Sequence, residues 1–298
     1  MNYISLGKSN IQISEVSFGT MSLKGAKSHD KGLVRKAFDS GINYFDTADL
    51  YDKGENEKLI GEALKEIRSK VVIGTKVGNQ LRADGSGWDW NPRKSYILSA
   101  VDESLRRLQT DYIDYYQLHG GTLEDPMDET IEAFERLKEQ GKIREYGISS
   151  IRPNVIREYV KRSNIAGVMM QYSLLDRRPE EACFDLLQQA GIPVLVRGGY
   201  AKGILLDKAP QSFLSWSVKE VEQMMEGLKE LVPALDIRRS WVLHFALAHP
   251  AVGSVVSGIR TPDQLAETLE AYMKEIPQEN WYQDLNQTFP AKTYQDHR

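Results

Sequence analysis

A parallel (β/α)8 TIM barrel is the fold class this sequence predicts, and three observations predict it. Eight short apolar or β-branched runs recur along the chain, near residues 16–18, 43–46, 71–76, 113–119, 143–149, 167–171, 193–197 and 253–257. Amphipathic segments with helix punctuation separate them. The length of 298 residues suits one such barrel, which uses about 250 residues as a single domain. Strand–helix alternation implies parallel pairing through right-handed crossovers. Eight strands point to closure; a doubly wound open sheet is the alternative.

The elements follow in order. The chain opens on an N-terminal β-hairpin pattern, in which Ile4 and Leu6, then Ile11, Ile13 and Val16, flank the turn residues Gly7-Lys8-Ser9-Asn10. Gly41 and Asp111 punctuate the approaches to two later strands, and Gly191-Ile192-Pro193 marks a helix-to-strand turn. The helix around Ile131 shows the rule the others obey. Pro126 suits a first turn, where a missing amide hydrogen is no loss. Ile131, Phe134 and Leu137 recur at spacing three, Lys138 lies in the last turn, and Gly141 stops the helix. Residues 205–218 break the rhythm, and helical patterns follow over 219–231 and 238–248, so an additional helix precedes the last strand. The tail, 286–298, has no core pattern and drapes over the surface or the barrel mouth. No repeat, low-complexity tract or linker interrupts the chain, so 1–298 reads as one domain.

Composition limits the function classes. The chain is 41% hydrophobic and 27% charged, with a net charge of −4, and no basic block suggests nucleic acid or an anionic membrane as a partner. One cysteine, Cys183, rules out an intrachain disulfide and fits a reducing compartment such as the cytoplasm. The first ten residues lack the basic stretch and apolar run of a secretory signal. No apolar run is long enough for a membrane-spanning helix.

In a barrel, residues at the C-terminal ends of strands face the active site. Asp46, Lys76 and His119 end three consecutive predicted strands, and Tyr51 follows in the loop after Asp46. Lysine and aspartate are rarely buried unless paired, and Asp46 and Lys76 would neutralise each other in the mouth. A lysine beside a tyrosine hydroxyl favours the phenolate, which makes Tyr51 a candidate general acid for a carbonyl oxygen. His119 could donate a hydrogen bond to that oxygen as charge develops on it. Singly, each residue is more ordinary: a histidine at a strand end is often only a satisfied polar group. Three at consecutive strand ends, with a fourth in the adjoining loop, form a constellation.

These residues carry a resemblance. The run Asn43-Tyr-Phe-Asp-Thr-Ala-Asp-Leu-Tyr51, with Gly54-Glu55-Asn56-Glu57, resembles the aldo-keto reductase signature. The similarity extends over nearly the whole chain, through Phe18-Gly19-Thr20, Tyr115-Tyr-Gln-Leu-His119 and Lys142-Ile-Arg-Glu-Tyr-Gly-Ile-Ser-Ser150. It implies NADPH-dependent reduction of an aldehyde or ketone. Tyr51 would be the proton donor, Lys76 and Asp46 would tune it, and His119 would orient the carbonyl.

The same resemblance implies an extended NADP(H) site without a Gly-rich Rossmann turn, and no G-x-G-x-x-G occurs here. Gly19 and Thr20 would lie against the cofactor, Asp46 near the nicotinamide ribose, and Ser149 on the carboxamide. Three positions depart from the family pattern. Ser150 stands where asparagine is common. Met169 stands where glutamine is usual, with Gln171 directly before Tyr172. Arg197 replaces an aromatic that stacks on the nicotinamide in many members; its planar guanidinium could stack or form a salt bridge. Gly198 through Gly203 resemble the pyrophosphate loop, where absent side chains let amides approach an anion, although a flexible turn has the same composition. The segment from Ser257 to Glu267 resembles the adenosine 2′-phosphate site. There Arg260 lies at a helix start that favours anions, and Gln264 and Glu267 would contact adenine or ribose.

Trp88 and Trp90, in the loop 78–91, would wall an apolar substrate pocket or cover the barrel rim. Met21 would sit near the mouth. Two other classes remain. A Schiff-base aldolase would use Lys76 as a nucleophile, and a binding module would hold NADPH with little turnover.

Overall fold

The computed structural model of the chain describes residues 1–23, 28–276 and 280–298. A two-stranded hairpin comes first, β1 (Tyr3–Ser5) and β2 (Gln12–Ser14), paired antiparallel. The barrel begins with β3 (Val16–Gly19), followed by α1 (Ser28–Asp39), β4 (Tyr44–Asp46), α2 (Glu55–Leu64) and β5 (Val72–Val77). A second hairpin, β6 (Asn79–Leu81) with β7 (Trp88–Trp90), rises from the segment expected as a loop. Then come α3 (Lys94–Leu108), β8 (Ile113–Leu118), α4 (Met127–Glu139), β9 (Ile143–Ser149), α5 (Pro153–Arg162), β10 (Val168–Gln171), α6 (Cys183–Ala190) and β11 (Val194–Arg197). Two helices, α7 (Val218–Leu231) and α8 (Leu235–Leu247), precede β12 (Val252–Gly258), and α9 (Pro262–Met273) and α10 (Trp281–Thr288) complete the chain. Strands β3, β4, β5, β8, β9, β10, β11 and β12 close in that order into a parallel barrel. The open sheet is thereby excluded, and the additional helix before the last strand is present.

Two apolar layers hold the barrel. Outside, helix stripes pack on outward strand residues; Phe134 and Leu137 of α4 are both fully buried. Inside, Tyr44, Val72, Tyr115, Met169, Leu195 and Val256 form a separate cluster, and Leu6 and Ile13 of the N-terminal hairpin join it from below. The hairpin therefore plugs the N-terminal end and leaves chemistry to the other. Glycine makes room for the interior phenols: a Cβ at Gly74 would strike the Tyr44 ring, and one at Gly147 the Tyr115 hydroxyl. Tyr115 is anchored by donating to the Gly167 carbonyl at 2.6 Å.

The tail lies over the C-terminal rim. Tyr294 is buried and its amide donates to Glu181; the Asn154 amide donates to the His297 carbonyl. Part of the tail, up to Thr288, is helical in α10.

Candidate active site

Parallel register sets the site. Asp46 ends β4 between Gly19 of β3 and Gly74 of β5, and Lys76 of β5 lies beside Gln117 of β8. All are at the C-terminal end of the barrel. Lys76 is fully buried, and its Nζ donates to Asp46 Oδ2 at 2.5 Å, to the Thr47 carbonyl at 2.7 Å and to Tyr51 Oη at 3.4 Å. Asp46 Oδ1 accepts from Tyr44 Oη at 3.2 Å and Gln117 Nε2 at 3.3 Å. A carboxylate buried this deeply is sustained by such donors and by the ammonium. Burial by itself would lower the Lys76 pKa, but Asp46 and Tyr51 outweigh it and hold the ammonium above the ordinary lysine value.

His119 follows β8 and presents its ring edge to Tyr51, centroids 6.0 Å apart at 80°. Burial, then the charges of Lys76 and Arg197, push its pKa down to about 3. The imidazole is neutral at every working pH. A neutral imidazole can still donate one hydrogen bond. The structure thus brings Asp46, Tyr51, Lys76 and His119 together.

The other predicted residues divide. Thr20 is fully buried and its hydroxyl donates to the Asp46 carbonyl or to Asn56, an interior staple that also takes the Thr47 hydroxyl. Gly19 lies against β12, where a Cβ would approach Ser257 O to 3.3 Å. Met169 points into the barrel interior, away from the mouth. Ser149 ends β9 half-buried, and Ser150 Oγ accepts the Arg152 amide, so Ser150 shapes the turn after that strand. Gln171 is a strut: its Oε1 accepts from Arg197 at 3.0 Å and its Nε2 donates to Asp176 at 2.9 Å. Among the described residues, the exposed Arg197 guanidinium is held by that amide rather than by a carboxylate. Gln264 turns its side-chain oxygen onto the Arg260 amide at 2.9 Å, and Glu267 pairs with Arg239 at 3.0 Å. Arg260 is exposed just before Thr261, whose hydroxyl caps α9.

A nicotinamide dinucleotide fits this rim. Ser257 Oγ, Tyr200 Oη and His119 Nδ1 are buried there with no hydrogen-bond partner among the described residues, a costly condition that a polar ligand relieves. Gly198 and Gly203 have φ of 73° and 92°, the left-handed conformation that side chains resist.

Sequence reasoning missed four contributors. Asn56 and Glu57 lay inside the quoted motif without an assigned task. Gln117 likewise lay inside the run 115–119 without an assigned task, and Arg239 carried no signal, because a partner between helices has no fixed sequence spacing.

Comparisons with known proteins agree with this geometry. The aldo/keto reductase family model matches residues 15–283, and the chain belongs to that family. It is an oxidoreductase of carbonyl compounds, and its family uses nicotinamide cofactors. It is 50% identical over 275 residues to an uncharacterized oxidoreductase of Bacillus subtilis, YqkF, covering 89% of each chain. The holo form of aldo-keto reductase AKR11C1 from Bacillus halodurans superposes with a TM-score of 0.91 at 46% identity, covering 100% of this chain and 99% of that one. The NADH-specific methylglyoxal reductase of Escherichia coli is 28% identical over 305 residues, 91% of this chain and 93% of its own. Among the described residues, no helix is long and apolar enough to cross a membrane.

Proposed function

We propose that this protein is an NADPH-dependent reductase of small aldehydes or ketones in which Tyr51 protonates the carbonyl oxygen. The observation that carries the reading is the buried Lys76 ammonium, 2.5 Å from Asp46 and 3.4 Å from Tyr51, with His119 edge-on to the same phenol. The bound nicotinamide supplies hydride. Lys76 holds positive charge beside Tyr51 Oη, which eases loss of the phenolic proton as the substrate oxygen gains charge. Neutral His119 orients that oxygen by hydrogen bonding. Asp46, fixed by Tyr44 and Gln117, keeps Lys76 charged and in place.

Gly19, Ser149, Ser257 and the loop from Gly198 to Gly203 would hold the cofactor, with Arg197 stacked on or hydrogen-bonded beside the nicotinamide. Arg260 supports NADPH over NADH, since a guanidinium at a helix N-terminus suits the adenosine 2′-phosphate. The partner is a small carbonyl compound, with no macromolecule required, and the setting is cytoplasmic. An ammonium held in the charged form is a poor Schiff-base nucleophile, which disfavours the aldolase reading.

The test is a fluorescence titration with NADPH and NADH, followed by aldehyde-dependent oxidation of the bound nucleotide. NADPH is expected to bind at least about tenfold more tightly than NADH, a preference of ~1.4 kcal/mol. Tyr51→Phe is expected to lose most turnover and keep its NADPH affinity. Unchanged turnover in that variant would sink the role of Tyr51, and tight binding without turnover of any aldehyde would favour a binding module.

A further inference from the structure

The loop that carries Tyr51 is held in a disfavoured conformation. Asp52 and Lys53 adopt left-handed φ/ψ of 48°/38° and 55°/36°, and Gly54 follows at 89°/−9°. Left-handed backbone is disfavoured for L-residues and persists only where its surroundings over-determine it. The surroundings here are specific. Arg107, in the last turn of α3, lies flat on Gly54: a Cβ there would come within 2.8 Å of Arg107 Cδ and 3.0 Å of its Nε. Arg107 Nε donates to Glu57 Oε2 at 2.6 Å, and Glu57 Oε1 accepts from Thr75 Oγ1 at 2.6 Å. Thr75 precedes Lys76 on β5, and Lys76 reaches back to Tyr51. The chain of contacts closes: Tyr51 turn, Gly54, Arg107, Glu57, Thr75, Lys76, Tyr51.

We propose that Arg107 and Glu57 are positioning residues for the reaction, a part-buried ion-pair buttress that fixes the Tyr51 turn relative to Lys76. This rests on reading Tyr51 as the proton donor. Glu57 is completely buried and the Arg107 side chain is partly exposed, at 16%, so the pair is screened by solvent less than a surface pair would be. Asp49 is buried beside it; burial, then the Glu57 charge, hold its carboxyl well above the ordinary aspartate range. Neither residue of the pair bonds to Tyr51 Oη, and the 3.4 Å contact between that atom and Lys76 has slack that a shifted turn would enlarge.

Four variants test this: Arg107→Met, the volume-keeping double Glu57→Gln/Arg107→Met, the charge-keeping Arg107→Lys, and Tyr51→Phe in parallel. The double variant guards against unfolding by an unpaired buried Glu57. Displacements of about 1 Å cost on the order of 100-fold in turnover. A fall in kcat of about 10- to 100-fold is therefore expected in the first two. Aldehyde KM and the Kd for NADPH should stay within about twofold, and Arg107→Lys should recover part of the loss. Wild-type kcat in the folded double variant, with Tyr51→Phe inactive, overturns the buttress and leaves the reading of Tyr51 standing. Equal losses in kcat and NADPH affinity without rescue by lysine also overturn it, since they mark a merely structural pair. Turnover surviving in Tyr51→Phe overturns both.

Discussion

Burial beside the charges of Lys76 and Arg197 holds the His119 imidazole at a pKa of about 3, while the unfolded chain titrates near 6.5. Below that value the unfolded state binds a proton that the folded state refuses. Stability contributed by neutral His119 is therefore complete above about pH 6.5 and declines as the solution is acidified toward pH 3. At pH 5 the loss is about 2 kcal/mol. His119→Gln should remove that part of the acid slope in urea unfolding between pH 7 and 5; an unchanged slope would show that another group carries it. Turnover should show no acidic limb from this imidazole over the same range. His119, Asp46, Lys76 and Tyr51 were legible in the sequence because a parallel barrel sends strand ends to one mouth. Gln171, Gln264 and Glu267 were legible only as positions. Their polar atoms are turned onto Arg197, the Arg260 amide and Arg239, and such choices depend on side chains far away in sequence.

Elements were read well where local chemistry punctuates them. The eight barrel strands each begin or end within a few residues of the expected runs, since a parallel strand buried on both faces is an uninterrupted apolar segment. The β6–β7 hairpin was missed because the connection 82–87 separates two three-residue strands that lack an extended alternation. Tertiary contacts make it: Trp90 packs over Gly78 and Gly120 and donates to Asp125 at 2.9 Å, which sets this hairpin beside His119 at the rim. At the other side of the mouth, α7 starts on a complete capping box. Ser217 Oγ accepts the Glu220 amide, and the Glu220 carboxylate accepts the Ser217 amide. Ser217→Ala should cost about 1 kcal/mol, read as a lowered urea midpoint at constant slope. Because α7 packs chiefly on α10, kcat should be unaffected; a matching fall in kcat would mean that α7 supports the site.

Closure of the barrel itself is decided where phenols fill an interior that glycines vacate. Tyr44 is fully buried, its ring lies where a Gly74 Cβ would be, and its hydroxyl donates to Asp46. The same side chain thus fills the core from below and braces the Asp46 carboxylate above, so packing and site geometry share one residue. Gly74→Ala must push Tyr44 aside, an overpacking expected to cost about 1–3 kcal/mol and to lower Tm by roughly 1.5–2 °C per kcal/mol in a chain of this size. Tyr44→Leu would leave a cavity and strip Asp46 of one donor, with a comparable penalty. Combined, the two changes should be less damaging than their sum by at least about 1 kcal/mol, because the added methyl occupies space the ring has left. A double-mutant cycle in urea measures this directly. Strict additivity would show that Tyr44 and Gly74 do not compete for the same volume, and that the barrel accommodates the methyl by shifting β4 against β5. Lys76 would then move relative to Asp46, and the loss would appear in kcat even with stability intact.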